Sequence, residues 1–353
     1  MKNRKTEKYV VAIVVIILLF SLIFIILNNK KVKSNESSGF AMGSVITVTV
    51  YGSDEDTVAR EIFDAISNEE NKYISRYKET SEIHLLNKSS VGTLSEHTVD
   101  LISRAFEISK KTNGAFDITI GAVSELWNFD GDVRIVPDEN SIKQVISDCG
   151  YEKVELNGNR VKLFGSQQLD LGAVGKGYGC DKALEILKKH NEITGAVVSV
   201  GGTILTYGEN PNGDCWKVGI RTPETDDTSV FMTVKVYGTK FISTSGNYEK
   251  CFEQNGVIYH HILSPKNGYP IDNNIKGVTV IADDGFTADA LSTACYVSGI
   301  ENSRNFVDYY DADVIFTDNN NAVYSSESIA DNISFTNGDG EIKSYEKYSV
   351  AQK

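Results

Sequence analysis

Residues 169–181 read LDLGAVGKGYGCD and contain Lys176 among four glycines, which are Gly172, Gly175, Gly177 and Gly179. A helical pattern follows this segment. Glycine lets the backbone approach a ligand closely, and the amide groups at a helix N-terminus favour anions. The segment therefore fits a phosphate or pyrophosphate site, or alternatively a structural turn before a helix. It is not a Walker A loop, because Gly177 follows the lysine where Ser or Thr would be needed.

Around this segment the hydrophobic periodicity predicts both helices and strands. Helical spacing occurs at residues 54–73, 98–111, 176–190 and 288–298. Strand alternation or a hairpin pattern is found at residues 45–51, 151–164 (turning at Asn157-Gly158), 194–200, 203–207, 216–221, 230–236, 241–245, 257–263 and 277–282. Strands outnumber helices and do not alternate regularly with them. We therefore expect a single compact α+β domain, residues 39–353, with a mainly antiparallel or mixed sheet and flanking helices.

The N-terminal region predicts one transmembrane helix. Residues 9–27 carry no charge, and as a helix they would span about 28 Å, close to the thickness of the hydrocarbon core. No small-residue cleavage site follows, so an uncleaved anchor is favoured over a signal peptide. Residues 28–38 are polar and indicate a tether. Residues 1–8 are placed in the cytoplasm and the catalytic domain outside it, although the charge bias is slight.

The composition restricts the partners. The net charge of -13 disfavours nucleic acid, whose binding proteins carry basic patches. Five cysteines stand far apart without a metal-binding or redox spacing, and we expect buried single thiols. They are Cys149, Cys180, Cys215, Cys251 and Cys295.

Residues 287–294 read TADALSTA. In a helix, Asp289 and Thr293 are four residues apart and share one face. A carboxylate and a hydroxyl there are hard oxygen ligands suited to Mg²⁺. The alternative is a capping role, with Thr287 as the N-cap and Asp289 as a first-turn acid favoured by the helix dipole.

Two further segments carry polar residues at the ends of predicted strands. The first consists of two stretches, residues 243–248 (STSGNY) and residues 260–270 (HHILSPKNGYP). These polar loops are either functional or, at residues 265–268, an ordinary turn. The second, residues 114–121, reads GAFDITIG. There Phe116 fits a core residue and Asp117 a cap at the entry to a strand.

Taken in order, these motifs resemble the FAD:protein FMN transferase family, the ApbE-type flavin transferases. The resemblance runs from Met42-Gly43-Ser44 to Gly299 through residues 114–121, 169–181, 201–202, 245–248, 261–270 and 288–294. It implies an ApbE-like, T-fold-like domain. Six motifs in the family's order are far more specific than any one of them.

The resemblance also implies roles for individual residues. Residues at FAD-contacting positions are Met42, Tyr77, Ala115, Phe116, Asp117, Asp170, Lys176 and Ile262. Those at Mg²⁺-binding positions are Asp289, Thr293, the weaker candidate Ser292, and Ala173 through its backbone carbonyl. His261 matches a histidine proposed to act as the base. Without the family pattern, core packing would explain Met42 and Tyr77.

The resemblance implies Mg²⁺-dependent transfer of FMN from FAD to a Ser or Thr hydroxyl, with release of AMP. The implied acceptors are flavoprotein subunits of membrane redox complexes. Two alternatives stay open: an FAD pyrophosphatase, with water as the acceptor, and a non-catalytic flavin-binding receptor. The family usually has Asp at the position of Ser264 and often at that of Thr203, and we expect these departures to affect the acceptor side of the pocket.

Overall fold

A computed structural model describes residues 34–52, 55–224, 229–336 and 345–348. The anchor predicted at residues 9–27 lies outside these ranges. Among the residues that are described, no helix combines the length and apolar character needed to cross a membrane.

The framework is a nine-stranded sheet whose neighbouring strands are antiparallel, except for one parallel pair at its end. In spatial order the strands are β1 (Ser34–Ala41), β2 (Ser44–Tyr51), β6 (Gly195–Val200), β7 (Thr203–Gly208), β10 (Lys240–Gly246), β13 (Ile275–Ala282), β14 (Asp313–Asp318), β15 (Val323–Ser326) and β17 (Tyr345–Tyr348). This arrangement confirms the α+β prediction with mainly antiparallel pairing.

The helices include all four that the periodicity predicts. They are α1 (Glu55–Glu69), α2 (Glu82–Ser89), α3 (Glu96–Lys111), α4 (Gly121–Trp127), α5 (Glu139–Ile146), α6 (Gly172–Leu187) and α7 (Gly285–Tyr309). Helix α1 continues into a π-helix at Glu70–Ile74, and α7 is broken at Gly299, where φ is 78° and ψ is 172°. Positive φ of this kind favours glycine.

Three smaller sheets complete the fold. One contains β16 (Ile333–Phe335), β9 (Val230–Val236) and β8 (Trp216–Arg221), and another contains β3 (Val91–Thr93), β5 (Arg160–Lys162) and β4 (Glu155–Asn157). The third is the hairpin of β11 (Cys251–Gln254) and β12 (Val257–His260). The hairpin predicted at residues 151–164 is thus confirmed as β4 and β5.

The core lies on both faces of the large sheet because successive side chains of a strand point to opposite faces. On β10, Phe241 joins the cluster that packs against α1, α6 and α7. Its neighbour Ile242 joins the cluster formed with β8 and β9 on the other face. The central sheet is therefore covered by helices on one side and by the β16–β9–β8 sheet on the other.

The sheet begins inside the stretch that the sequence assigned to the tether. Strand β1 starts at Ser34 and pairs with β2 along its whole length. Only every second side chain of β1 is partly buried. The polar composition therefore indicated a tether, whereas backbone hydrogen bonds to β2, which composition does not reveal, make residues 34–38 part of the sheet.

The structure joins none of the five cysteines to another in a disulfide. Cys149, Cys180 and Cys295 are buried, as expected, whereas Cys215 and Cys251 are partly exposed. Burial raises the pKa of Cys149 and of Cys295 to about 12. These two thiols are therefore protonated and unreactive at neutral pH.

The glycine-rich segment differs from its prediction. Helix α6 starts at Gly172, so the four glycines lie inside the helix and not in a turn before it. A Cβ atom on Gly177 would lie 1.9 Å from the carbonyl oxygen of Gly285, and one on Gly285 would lie 2.1 Å from that of Gly177. Gly177 of this segment and Gly285 of α7 therefore form a close helix–helix contact, which sequence periodicity does not show.

A carboxylate provides a second link between the same two helices. Asp181 on α6 accepts hydrogen bonds from the N–H groups of Gly285 (2.6 Å) and Phe286 (3.0 Å) at the start of α7. Burial, with the neighbouring Asp284 carboxylate, raises the pKa of Asp181 to about 6. Helix α6 thereby supplies partners for N–H groups that have no acceptor within α7.

We expect Gly177→Ala to lower the free energy of unfolding by about 3 kcal/mol, because the added methyl group meets the backbone of α7. The control is Gly175→Ala in the same helix, where the nearest atom is Ile74 Cδ1 at 3.5 Å. That substitution should be neutral or stabilise by about 0.5–1 kcal/mol. Guanidinium unfolding curves of both variants test the contact, and equal stabilities would contradict it.

Candidate active site

Helix α7 places the predicted metal-binding side chains. Asp284 caps the helix by accepting a hydrogen bond from the Thr287 N–H (2.8 Å), so Thr287 is not the N-cap. Asp289 consequently lies beyond the first turn, and its side chain is 3% exposed. Asp289 and Thr293 share one face of α7, as the sequence predicted. The capping alternative for residues 287–289 is therefore wrong.

The Asp289 carboxylate joins α7 to α6 and to the central sheet. Its Oδ2 accepts a hydrogen bond from the Gly177 N–H (2.9 Å). Its Oδ1 accepts one from the Ser243 hydroxyl (2.8 Å), and the Thr203 hydroxyl lies 3.4 Å away. Thr203 therefore faces the predicted metal carboxylate, and the effect of this departure on the acceptor side of the pocket stays a prediction.

Ala173 lies in the first turn of α6, one turn before Gly177. In a regular α-helix the Gly177 N–H donates to the Ala173 carbonyl. Here that N–H also donates to Asp289, so the carboxylate contacts α6 one turn after Ala173. That the Ala173 carbonyl joins Asp289 as a metal ligand stays a prediction.

A cluster of hydroxyl groups lies one turn further along α7. Ser245 Oγ is 2.7 Å from Ser292 Oγ and 3.4 Å from Thr293 Oγ1. The Ser292 hydroxyl is fully buried and donates to the Asp289 backbone carbonyl (2.8 Å). Because Ser292 is fully buried whereas Thr293 is partly exposed, Thr293 is the better of the two candidate ligands. Ser245 was within a quoted motif but was not singled out from the sequence.

These donors fit Mg²⁺. Asp289, Thr293 and the Ala173 carbonyl offer only oxygen atoms, which Mg²⁺ prefers. Over the described ranges, no group of three or more His, Cys, Asp or Glu side chains could hold a metal. A site with a single carboxylate suits a cation whose other ligands are water molecules and phosphate oxygens of the substrate, as is common for Mg²⁺.

Lys176 provides a positive charge on α6, directly before Gly177, whose N–H binds the Asp289 carboxylate. Its side chain lies beside the turn between β6 and β7, where a Cβ on Gly201 would be 3.1 Å from Lys176 Cδ and 2.7 Å from Ser44 Oγ. Gly201 has φ of +57°, a conformation that favours glycine. Lys176 forms no hydrogen bond or ion pair with the part of the chain that the structure describes, so its charge is available for an anionic ligand.

His261 follows the β11–β12 hairpin and is held in one tautomer. Its Nδ1 lies 3.1 Å from the Glu249 carbonyl, which can only accept, so Nδ1 carries the proton. Nε2 then has a free lone pair and no hydrogen-bond partner among the described residues. Burial, assisted by the Lys176 and Lys250 cations, lowers the pKa of His261 to about 3. The imidazole is therefore neutral at physiological pH, and its Nε2 lone pair can accept a hydrogen bond from a hydroxyl.

The neighbouring His260 has a structural role instead. Its Nε2 donates to the Ile271 carbonyl (2.9 Å), and its Nδ1 accepts from the Ile262 N–H (3.3 Å). Both ring nitrogens are therefore used. Ile262, predicted to contact FAD, is 4% exposed and packs in the main core, so its FAD contact stays a prediction.

An aromatic cluster supports the hairpin that leads to His261. Trp127 at the end of α4 packs against Phe252 and Tyr259 of the hairpin, at ring-centroid distances of 6.4 and 5.5 Å. Its Nε1 donates to the Gly268 carbonyl (2.7 Å). The segments before and after His261 are thereby fixed to the same indole ring.

Met42 lies at the turn between β1 and β2 in a backbone conformation that is rare for methionine. Its φ is 52°, and its N–H donates to the Glu70 carboxylate (2.9 Å) in the π-helix. A Cβ on Gly179 would lie 3.3 Å from Met42 Sδ, so the side chain reaches α6. Strained residues and π-helices are frequent at functional sites, which agrees with the predicted FAD contact.

Tyr77 and Asp170 meet through a residue that the sequence did not single out. Arg76, whose side chain is 7% exposed, donates to Asp170 Oδ2 (2.9 Å) and lies 5.2 Å from the Tyr77 ring centre. The other oxygen of Asp170 accepts from the Gly172 N–H (2.8 Å). Tyr77 itself is 67% exposed, so the core-packing alternative for Tyr77 is wrong and its ring is open to a ligand.

The segment containing Ala115, Phe116 and Asp117 is buried. Phe116 is 2% exposed and packs in the core. Asp117 accepts hydrogen bonds from Thr119 and from the Tyr151 N–H (3.0 Å), and burial raises its pKa. The core interpretation of Phe116 is confirmed. The interpretation of Asp117 as a cap at a strand entry is wrong, because Asp117 closes a turn with Thr119 and the next element is helix α4. The FAD contacts of these residues stay predictions. The Ile118 carbonyl accepts a hydrogen bond from the Asp170 N–H (2.7 Å), so this segment lies beside the one that begins α6.

Comparison with known proteins agrees with this arrangement over most of the chain. A model of the ApbE family matches residues 42–316. A Treponema pallidum protein named FAD:protein FMN transferase is 30% identical over 327 residues, covering 86% of this chain and 90% of that protein. A Vibrio cholerae protein of the same name is 33% identical over 254 residues, covering 70% and 75%. The crystal structure of the Thermotoga maritima ApbE protein has a TM-score of 0.76 at 30% identity, covering 84% and 98%.

We expect the histidines to titrate in a fixed order in the ligand-free protein. His190, which pairs with Glu61 and Glu192, has its pKa raised, whereas that of His261 is lowered to about 3 from an ordinary 6.5. As the pH falls, His190 should therefore gain its proton first and His261 should still be neutral near pH 4. NMR titration of the imidazole resonances measures this order. A His261 that titrates at pH 6.5 or above would contradict the described environment.

Proposed function

The chain belongs to the ApbE family, and we propose that it is an Mg²⁺-dependent enzyme that transfers FMN from FAD to a Ser or Thr hydroxyl of an acceptor protein and releases AMP. The relatives named FAD:protein FMN transferase support the flavin chemistry. The observation that carries the proposal is the buried Asp289 carboxylate, which accepts a hydrogen bond from the Gly177 N–H of α6 and lies on the same helix face as Thr293.

The reaction exchanges one phosphoester bond for another. The acceptor hydroxyl oxygen attacks the FMN-side phosphorus of FAD, the bond from that phosphorus to the bridging oxygen breaks, and AMP leaves with that oxygen. The proton of the hydroxyl passes to His261 Nε2, whose lone pair is free because Nδ1 is held by the Glu249 carbonyl. A neutral imidazole in hydrogen-bond reach of the hydroxyl is what this proton transfer requires.

Two groups of this chain neutralise the diphosphate. Lys176 contributes a positive charge that the described residues leave unpaired, and the N-terminal turn of α6 contributes the positive end of a helix dipole. Asp289, Thr293 and the Ala173 carbonyl would hold Mg²⁺, which when bound stabilises charge on the phosphate oxygens and the leaving oxygen. Preorganised charges of this kind stabilise the transition state more than the ground state.

The proposal includes a location and partners. The apolar residues 9–27 would anchor the enzyme as a single-pass membrane protein, with the domain outside the cytoplasm. Acceptors would then be flavoprotein subunits of membrane redox complexes exposed on the same side. The short polar segment after the anchor leads directly into β1 at Ser34, so the domain would stay near the membrane surface.

Asp289→Asn is expected to lower the rate of FMN transfer by about 10³-fold, because the amide replaces the only carboxylate assigned to the cation. Asp318→Asn is the control, since Asp318 is also a buried carboxylate (5% exposed) but accepts from the Asn320 and Ala322 N–H groups. The assay follows covalent flavin fluorescence in denaturing gels and AMP release, with FAD, MgCl₂ and a membrane fraction as the acceptor source.

The same assay separates the competing functions. Free FMN and AMP without a fluorescent acceptor would indicate an FAD pyrophosphatase, and FAD binding without AMP release would indicate a receptor. A wild-type transfer rate in Asp289→Asn would show that the cation site is assigned wrongly.

His261→Ala should slow FMN transfer by about 10²–10⁴-fold, the usual contribution of a general base, while FAD affinity changes little. His190→Ala, which removes a histidine paired with Glu61 and Glu192, should leave both quantities unchanged. Single-turnover labelling gives the rate, and quenching of flavin fluorescence gives the affinity. An unchanged single-turnover rate would remove His261 from the mechanism.

A further inference from the structure

Two hydroxyl groups lie beneath the Asp289 carboxylate. Ser243 Oγ is 2.8 Å from Asp289 Oδ1, and Thr203 Oγ1 is 2.9 Å from Ser243 Oγ. Ser243 and Thr203 are both fully buried, and Asp289 is 3% exposed. A buried polar group is stable only when its hydrogen bonds are satisfied, and here the three side chains satisfy one another.

The directions of these hydrogen bonds follow from the donors present. An ionised carboxylate only accepts, so Ser243 uses its single hydroxyl hydrogen on Asp289. Ser243 can therefore only accept from Thr203. The Thr203 hydroxyl donates to Ser243 Oγ, which is 2.9 Å away, in preference to Asp289 Oδ1 at 3.4 Å. The result is a chain in which each hydroxyl orients the next and the last orients the carboxylate. Such chains strengthen the individual hydrogen bonds.

The register of the sheet places this pair. Thr203 on β7 and Ser243 on β10 are direct antiparallel partners, and they lie on the same face as Phe241, towards α7. A slip of one residue would turn both hydroxyls to the other face. The carboxylate is therefore held from two sides, by the Gly177 N–H of α6 and by a rigid pair of sheet residues.

We propose that Ser243 and Thr203 are positioning residues, which fix the Asp289 carboxylate in the orientation that binds the divalent cation. This inference rests on the proposed function, since it assigns the support of the same site. Their hydroxyl groups contact each other and Asp289. They act by limiting the rotation of Asp289, as side chains that hydrogen-bond a metal ligand commonly do.

The test compares Mg²⁺ affinity in variants that keep or remove the hydroxyls. Isothermal titration of MgCl₂ into protein saturated with FAD, without acceptor, measures binding independently of FMN transfer. Ser243→Ala and the isosteric Thr203→Val should each weaken Mg²⁺ binding by about 10-fold or more. Thr203→Ser retains the hydroxyl and should bind within about twofold of wild type.

A matched control exists on the opposite face of the same sheet. Thr244 on β10 and Thr279 on β13 are also direct partners, with their hydroxyls 2.9 Å apart. Thr279→Val therefore removes an equivalent cross-strand hydroxyl with no contact to Asp289, and its Mg²⁺ affinity should match wild type. Urea unfolding in EDTA shows that each variant is folded before the titration.

The outcomes separate the two proposals. Wild-type Mg²⁺ affinity in both Ser243→Ala and Thr203→Val overturns the positioning role and leaves the cation site intact. A loss in Thr203→Ser as large as that in Thr203→Val also overturns it, since packing and not the hydroxyl would then be responsible. If the wild-type protein itself binds no Mg²⁺, the cation site of the proposed function fails, and the positioning role fails with it.

Discussion

The close approach of α6 and α7 is the constraint on which the candidate site depends. Gly177 and Gly285 meet backbone to backbone, with no space for a Cβ atom on either. Because the helices are this close, the Gly177 N–H reaches the Asp289 carboxylate at 2.9 Å. A larger side chain at either glycine would move α6 away from α7 and break the hydrogen bond from the Gly177 N–H to Asp289, the proposed metal ligand.

Electrostatics in the site differ from those of the whole molecule. The chain has a net charge of -13, yet at His261 the Lys176 and Lys250 cations add to burial in lowering the pKa of the imidazole. The local positive charge would favour an anionic diphosphate and keep the histidine neutral. The proposed proton acceptor His261 and the proposed phosphate-binding residue Lys176 thus influence one another, although they come from different parts of the chain.

Carboxylates around the site divide according to their partners. Asp181 binds the first N–H groups of α7, and Asp170 is paired with Arg76 and the start of α6. Asp117 closes a local turn with Thr119. Asp289 alone among these four is bonded by the hydroxyl pair of the sheet and lies on a helix face with Thr293. Residue type alone does not separate these roles, because each is an aspartate in a motif of the family.

The sequence by itself determined the α+β class, the main helices and strands, and the grouping of Asp289 with Thr293, because these depend on local periodicity. The order of its motifs also identified the family that comparison confirmed. The tertiary structure decided what depends on contacts between distant segments. It placed the glycines inside α6, with Gly177 against α7, and extended the sheet to Ser34. It also brought Arg76 to Asp170, and Thr203 and Ser243 to Asp289. The physical reason is that close packing and sheet register are set by partners far away in the chain, which a local pattern does not encode.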